Sequence, residues 1–100
     1  MDTADELRAH GCVVHEAYNA DQALHLLHTH KDITALFTDI DMPGSMDGLR
    51  LSCEVKRIWQ HIKIVITSGA RVPPKQQLPE GAVFVPKPYH INSVTNVITA

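Results

Sequence analysis

The sequence predicts an α/β domain built on a parallel sheet with helices on both faces. Apolar runs at 33–38, 62–67 and 82–85 each end in polar and turn-forming residues, which is typical of buried parallel strands. Segments with helical apolar spacing alternate with these runs, and this alternation favours a doubly wound sheet. A chain of 100 residues has room for one domain, which we expect to span residues 1–100.

The individual elements follow from local signals. Gly11 is a suitable C-cap for the first helix, Asn19 an N-cap for the second, and Asn92 or Ser93 a cap for the last. Residues 70–81 hold three prolines without apolar periodicity, which predicts a loop with at most one helical turn. The predicted helices are 2–10, 20–29, 49–60 and 91 to the end, and the predicted strands are 12–17, 33–38, 62–67 and 82–85.

Composition excludes several classes of function. The net charge is −2, so no basic field suggests a nucleic-acid partner. We find neither a signal peptide nor a run of about 18 apolar residues, so no membrane partner is expected and the predicted location is cytoplasmic. Cys12 and Cys53 stand far apart without metal-type spacing and are interpreted as free thiols.

Histidine is frequent, with seven residues in the chain. His25, His28 and His30 lie close together, and the first two share a helix face. A metal site there would need a third ligand with a defined partner, and none is apparent. We therefore interpret this group as a solvated polar helix face.

Three polar residues stand at the ends of successive predicted strands. These are Asp39, Thr67 and Lys87, with Asp41 close to the first. Since the carboxyl ends of parallel strands share one sheet edge, their side chains can converge in the ligand crevice. A carboxylate can attack phosphorus, while a hydroxyl and an ammonium stabilise the charge on the transferred group. The trio indicates a phosphoryl-accepting aspartate.

Each of the three residues also has an ordinary interpretation. A strand-end Asp often forms a turn or cap, a strand-end Thr bonds local backbone, and a Lys is usually solvated. The combination favours a site, because Lys87 lies between Pro86 and Pro88 directly after an apolar strand. The two prolines restrict the backbone there.

Four stretches carry a resemblance to a known family. They are residues 39–44 (DIDMPG), 46–48 (MDG), 64–69 (IVITSG) and 84–89 (FVPKPY). Together they resemble the receiver domain of two-component response regulators, and the match runs over nearly the whole chain. The resemblance implies a flavodoxin-like fold and a place in a phosphorelay, as a signalling protein and not an enzyme.

The resemblance also implies a role for each site residue. Asp39 would accept a phosphoryl group from a sensor histidine kinase or phosphotransfer protein. Thr67 would be the phosphate-sensing hydroxyl and Lys87 the phosphate-binding cation. The Asp39 side chain and the main-chain carbonyl of Asp41 would bind Mg²⁺. Phe84 would be the switch aromatic that changes rotamer on phosphorylation.

The chain departs from the family pattern in three places. It begins inside what would be the first helix, so the first strand and its metal-binding acidic pair are absent, and Mg²⁺ is expected to bind weakly. Asp2 and Asp5 would lie along that helix, several ångströms from the crevice at about 1.5 Å rise per residue, and are poor substitutes. The loop 70–81 replaces the fourth helix, and Ser45 adds one residue to the loop after Asp39.

The missing strand would leave backbone groups of its neighbours unpaired, which is costly when they are buried. We therefore expect one of two outcomes. Either the strand at 12–17 pairs directly with the strand at 33–38, or another molecule completes the edge, for instance in a homodimer.

Two further interpretations compete with a phosphorylated receiver. One is a phosphatase of the haloacid-dehalogenase type, since Asp39, Asp41, Thr67 and Lys87 match its first motifs in kind. That family needs a further acidic motif, and residues 88–100 contain no Asp or Glu. The other is an inactive receiver fragment.

Overall fold

The computed structural model describes residues 3–41, 46–69 and 72–99. The expected loop at 42–45, with the additional Ser45, lies outside these ranges, as do residues 70 and 71 of the expected loop 70–81. The helices are α1 (Thr3–Ala9), α2 (Ala20–Thr29), α3 (Gly48–Ile58) and α4 (Ile91–Ile98), and a short 3₁₀ helix spans Lys75–Gln77. The strands are β1 (Ala35–Asp39), β2 (Lys63–Ser68) and β3 (Val83–Pro86).

The described strands form one parallel sheet in the order β1-β2-β3. Ala35 to Asp39 pair in register with Lys63 to Thr67, and Val65 to Ser68 pair with Val83 to Pro86. The predicted α/β class with a doubly wound parallel sheet is therefore confirmed.

Side chains alternate between the two sheet faces, as the two-residue period of a strand requires. Ile64 and Ile66 of β2 enter a core with α2 and α3, where Leu51 and Val55 are buried. Val65 lies on the opposite face, where the other members of its core are Leu7 of α1, Val85 of β3 and Val94 of α4. Because both faces of β2 are covered, this strand has a continuous apolar sequence.

The expected strand at 12–17 is wrong. Residues 12–17 have no regular secondary structure, and they do not pair with β1. In the part of the chain that the structure describes, the backbone of residues 13–17 makes no hydrogen bond to other backbone groups. The segment has the residue types of a strand, but a strand also needs a neighbour at ladder distance, and the described residues provide none.

A cleft of about 840 Å³ separates this segment from the outer edge of β1. Leu7 of α1, Leu27 of α2 and Leu36 and Phe37 of β1 contribute to its apolar walls. Asp39 also lines it. The cleft therefore reaches the carboxyl end of β1, where the candidate site lies.

The helix ends agree with expectation except at α4. Gly11 has φ 90°, and the N–H of Cys12 donates to the Leu7 carbonyl at 3.1 Å, which ends α1. Asn19 caps α2 through its side chain. The expected cap of α4 at Asn92 or Ser93 is wrong, because His90 caps it by accepting from the N–H of Asn92 at 3.2 Å.

The connection between β2 and β3 contains one short helical turn within residues 72–82, as expected. Leu78 of this connection packs against the α2–α3 core. A helix of the length seen elsewhere in the chain is absent from these residues. The prolines Pro73, Pro74 and Pro79 account for this, since each removes a backbone donor that a longer helix would need.

Candidate functional site

The carboxyl ends of the three strands bring Asp39, Thr67 and Lys87 together, as the sequence predicts. Asp39 pairs in register with Thr67, and Thr67 pairs with Val85 of β3. Lys87 follows Val85 by two residues and therefore returns to the same sheet face. All three residues line the cleft beside β1.

The Asp39 carboxylate accepts hydrogen bonds on both oxygens. Lys87 Nζ donates to Oδ2 and forms an ion pair with it. The backbone N–H of Asp41 donates to Oδ1 at 2.9 Å. The Asp39 side chain keeps 32% of its surface exposed, so a reactant can reach it from the crevice.

Lys87 is held by its backbone as well as by its charge. Its N–H donates to the Ser68 carbonyl at 3.1 Å, which extends the pairing of β2 and β3 by one bond. The peptide bond to Pro88 is cis. The hydrogen bond to Asp39 raises the pKa of the Lys87 ammonium above its usual range. At neutral pH the ammonium is therefore fully charged beside Asp39.

Thr67 brings a buried polar atom to the same place. The residue is 3% exposed, and among the described residues its Oγ1 has no hydrogen-bond partner. Leaving a buried hydroxyl without a hydrogen bond is costly, so we expect Thr67 Oγ1 to bond an oxygen or nitrogen of a ligand or of solvent. Next to it, the Ser68 hydroxyl donates to Oδ2 of Asp41 at 3.4 Å.

The N-terminus of α3 sets the backbone position of Asp39. A Cβ atom built on Gly48 would lie 1.9 Å from the Asp39 carbonyl oxygen and 2.7 Å from Thr38 Oγ1, so a side chain does not fit there. The Gly48 N–H donates to the Ile40 carbonyl at 3.0 Å. Asp47 caps the helix by accepting from the N–H of Arg50 at 2.8 Å. Residues 46–48 therefore keep the N-terminus of α3 in close contact with the carboxyl end of β1.

Mg²⁺ binds through one or two carboxylates together with other oxygen ligands. Asp39 supplies a carboxylate at the crevice, and the exposed Asp41 supplies a carboxylate and a main-chain carbonyl two residues later. This donor set fits a hard divalent cation in kind, because its ligand atoms are oxygens.

Phe84 lies apart from the other site residues. It pairs in register with Ile66 and packs, partly buried, against the core between the sheet and the α2–α3 layer. It therefore belongs to the opposite sheet face from Asp39, Thr67 and Lys87.

Tyr89 is a residue at the cleft to which the sequence analysis assigned no role. Its ring meets that of Phe37 edge-on, with centroids 5.3 Å apart. Its hydroxyl lies 2.5 Å from the hydroxyl of Thr3 in α1. No sequence pattern singles out Tyr89, because residues 87 and 88 form a bend after β3, where the two-residue alternation of a strand no longer applies.

No helix in the described ranges is long and apolar enough to cross a lipid bilayer.

Comparison with known proteins identifies relatives of this fold. The receiver domain of NtrX from Brucella abortus superimposes with a TM-score of 0.78 at 27% identity, over 95% of this chain and 82% of that one. The receiver domain of the hybrid histidine kinase CckA gives 0.76 at 28% identity, over 97% and 82%. A response regulator receiver protein from Sinorhizobium medicae gives 0.87 at 18% identity, over 97% and 79%, and shows the fold alone.

The family model of the response regulator receiver domain matches residues 2–99. This match covers nearly all of the chain and includes all four stretches that carry the resemblance. It supports the receiver interpretation over the phosphatase of the haloacid-dehalogenase type. The chain belongs to the response regulator receiver domains of two-component signalling.

Proposed function

We propose that Asp39 is the phosphoacceptor of this receiver domain. Receiver domains interact with histidine kinases or phosphotransfer proteins, and the donor here would be the phosphohistidine of such a protein. The observation that carries the proposal is the buried Thr67 hydroxyl, which has no hydrogen-bond partner within the described residues, beside an Asp39 carboxylate that is already paired with Lys87. An arriving phosphoryl group would give that hydroxyl the partner it lacks.

The step is an in-line displacement at phosphorus. An Asp39 carboxylate oxygen attacks, a P–O bond forms, and the P–N bond to the donor imidazole breaks. The imidazole leaves with the electron pair of the broken bond and takes a proton. Charge on the transferred oxygens is met by the Lys87 ammonium and by a hydrogen bond from Thr67 Oγ1.

A divalent cation has a defined place in this proposal. Receiver domains bind Mg²⁺ at the phosphorylation site, where it neutralises phosphoryl charge. In this chain the Asp39 side chain and the Asp41 main-chain carbonyl would hold it. We expect weak binding, because this set offers the cation a single side-chain carboxylate, which also forms an ion pair with Lys87.

Thr67 and Phe84 would carry the signal away from the site. When the Thr67 hydroxyl turns to the phosphoryl group, the backbone around it moves, and Phe84 sits on the neighbouring strand opposite Ile66. The ring is only partly buried, so it can change rotamer without opening the core. The proposed output is contact with another protein, in the cytoplasm.

The test is chemical modification of the purified protein. Acetyl phosphate with Mg²⁺ should add one phosphoryl group, found on Asp39 by mass spectrometry after borohydride trapping. Beryllofluoride should bind at the same place in fluorine NMR. Asp39→Asn should abolish both signals, and the matched variant Asp21→Asn, an exposed carboxylate in the first turn of α2, should keep them.

Absence of both signals in a folded protein would contradict the proposal and favour an inactive fragment. Steady hydrolysis of phosphate esters through Asp39 would favour a phosphatase instead.

We also propose a homodimer through the outer edge of β1. Within the described chain this edge pairs with no strand, and exposed strand edges accept further strands. A second copy that offers the same five-residue edge in antiparallel orientation would pair the free groups of both chains. Sedimentation should show a dimer at tens of micromolar, and a monomer at that concentration would contradict it.

A further inference from the structure

A second group of metal-ligating side chains lies at the opposite end of β1 from Asp39. His15, His30 and Asp32 each offer a ligand atom, and these atoms all lie within 4.8 Å of one another. The two imidazole rings are stacked, with centroids 4.2 Å apart and planes inclined by 25°. His15 and Asp32 are exposed and His30 is half-buried, so the group is open to solvent on one side.

The three residues come from two separate parts of the chain. His30 is the C-cap of α2, and its N–H donates to the Leu26 carbonyl at 2.8 Å. Asp32 lies in the turn that leads to β1, where the Ile33 N–H donates to the His30 carbonyl at 3.4 Å. His15 belongs to the segment 12–17 across the cleft. Two ligands are thus held on one short turn, and the third comes from the opposite wall.

We propose that His15, His30 and Asp32 form a binding site for a borderline transition-metal cation, with Zn²⁺ as the best fit. Two imidazoles and a carboxylate are a common zinc ligand set, and the site leaves a fourth position for water or an exogenous ligand. Ligand atoms on one tetrahedral zinc ion lie roughly 3.4 Å apart at a metal–ligand distance of about 2.1 Å. The present group needs a closure of at most about 1.4 Å, which rotation of the exposed His15 and Asp32 side chains can supply.

The site is distinct in chemistry and position from the oxygen ligands around Asp39. Its two imidazoles favour zinc, copper or nickel, whereas a carboxylate and a carbonyl favour magnesium. Zinc binding would also have a structural effect. It would tie the segment 12–17, whose residues 13–17 make no backbone–backbone hydrogen bond in the described chain, to the turn before β1.

The direct test is titration of the purified full chain with Zn²⁺ by calorimetry, with Co²⁺ as the spectroscopic probe. We expect one high-affinity ion per chain and a visible Co²⁺ spectrum of a tetrahedral nitrogen–oxygen site. His15→Asn, His30→Asn and Asp32→Asn should each weaken binding by about tenfold or more. Zn²⁺ should raise the melting temperature of the wild-type chain, and none of the three variants should show that rise.

Two controls separate this site from others. His25→Asn removes an exposed histidine of α2, the helix that His30 caps, and His25 lies outside the proposed site. This variant should leave the Zn²⁺ affinity and the Co²⁺ spectrum unchanged. Asp39→Asn should also keep Zn²⁺ binding, so the outcome does not depend on the phosphoacceptor proposal. Three results would each overturn the inference. They are no saturable binding by the wild-type chain, an affinity in the three ligand variants equal to that of the wild-type chain, or a loss of binding in His25→Asn.

Discussion

The two sides of strand β1 differ in how completely they are built. On its inner side all five residues pair in register with β2, and its carboxyl end is fastened through the Gly48 N–H bond to Ile40. On its outer side the strand faces a cleft of about 840 Å³ and a segment without ladder hydrogen bonds. One strand thus has a complete side and an open side.

The proposed site chemistry draws on one of these two sides. Thr67 and Lys87 reach Asp39 through β2 and β3, on the complete side. The outer side would matter for further metal ligands and for closure of the core. The arrangement of the Asp39 carboxylate, the Thr67 hydroxyl and the Lys87 ammonium therefore does not depend on the outer side. Mg²⁺ affinity and the free energy of unfolding are the two properties that we expect an open outer side to lower, relative to a sheet that is paired on both sides of β1.

A large loss of stability is expected for a substitution on the complete side. Gly48→Ala should destabilise the protein by about 2 to 3 kcal/mol, because the added methyl group would meet the backbone of Asp39. Urea unfolding measures this. The matched control is Gly69→Ala, whose Cβ would meet Lys87 carbons no closer than 3.6 Å, and it should change stability by less than about 0.5 kcal/mol. Equal losses in both variants would mean that the close approach of α3 to Asp39 is not a constraint.

A second pair compares the two strands directly. Ile64 and Leu36 are register partners in the same core, but Ile64 is 2% exposed and Leu36 is only partly buried beside the cleft. Ile64→Ala should cost about 2 to 5 kcal/mol, and Leu36→Ala about half as much. The same urea experiment tests this. A Leu36 loss as large as that of Ile64 would show that the outer side of β1 is closed in solution.

Amide hydrogen exchange should separate the regions without any substitution. The amides of Ile64 to Thr67 lie in a central strand, so they should exchange at least roughly 100-fold more slowly than those of Val13 to Glu16. NMR or mass spectrometry can follow both. Strong protection of 13–16 would mean that this segment pairs with a partner strand. If that protection disappears on dilution, the partner strand belongs to a second copy, in a dimer other than the proposed pairing of two β1 edges.

The smallest effect concerns the Lys87–Asp39 ion pair. Its hydrogen bond raises the pKa of Lys87 in the folded state, so the pair stabilises the fold below the unfolded pKa of about 10.4. This contribution is lost as the pH rises through the folded value. Since 45% of the Lys87 side chain is exposed, it should amount to about 0 to 1 kcal/mol.

NMR titration of the Lys87 side chain checks the direction of this shift. In Asp39→Asn the pKa should fall toward its ordinary value. An unchanged pKa in that variant would contradict the role of Asp39 as its cause.

Sequence alone could predict those features that are set by local residue patterns. The apolar strand ending at Asp39, the glycine at 11 and the cap at Asn19 needed no knowledge of neighbours. The prediction of a strand at 12–17 was wrong because strand pairing depends on a partner strand, which the local sequence does not reveal. The contact of His15 with His30 was missed for a related reason, since it joins residues 15 positions apart across the cleft.

The central claim is that the complete side of β1 suffices to make Asp39 a phosphoacceptor. Its most direct test is mass spectrometry of the wild-type chain after incubation with acetyl phosphate over a range of Mg²⁺ concentrations. We predict one added phosphoryl group on Asp39 that requires high Mg²⁺ and that neither Asp39→Asn nor Lys87→Ala forms at the wild-type rate. A folded protein that stays unmodified at every Mg²⁺ concentration would contradict the claim.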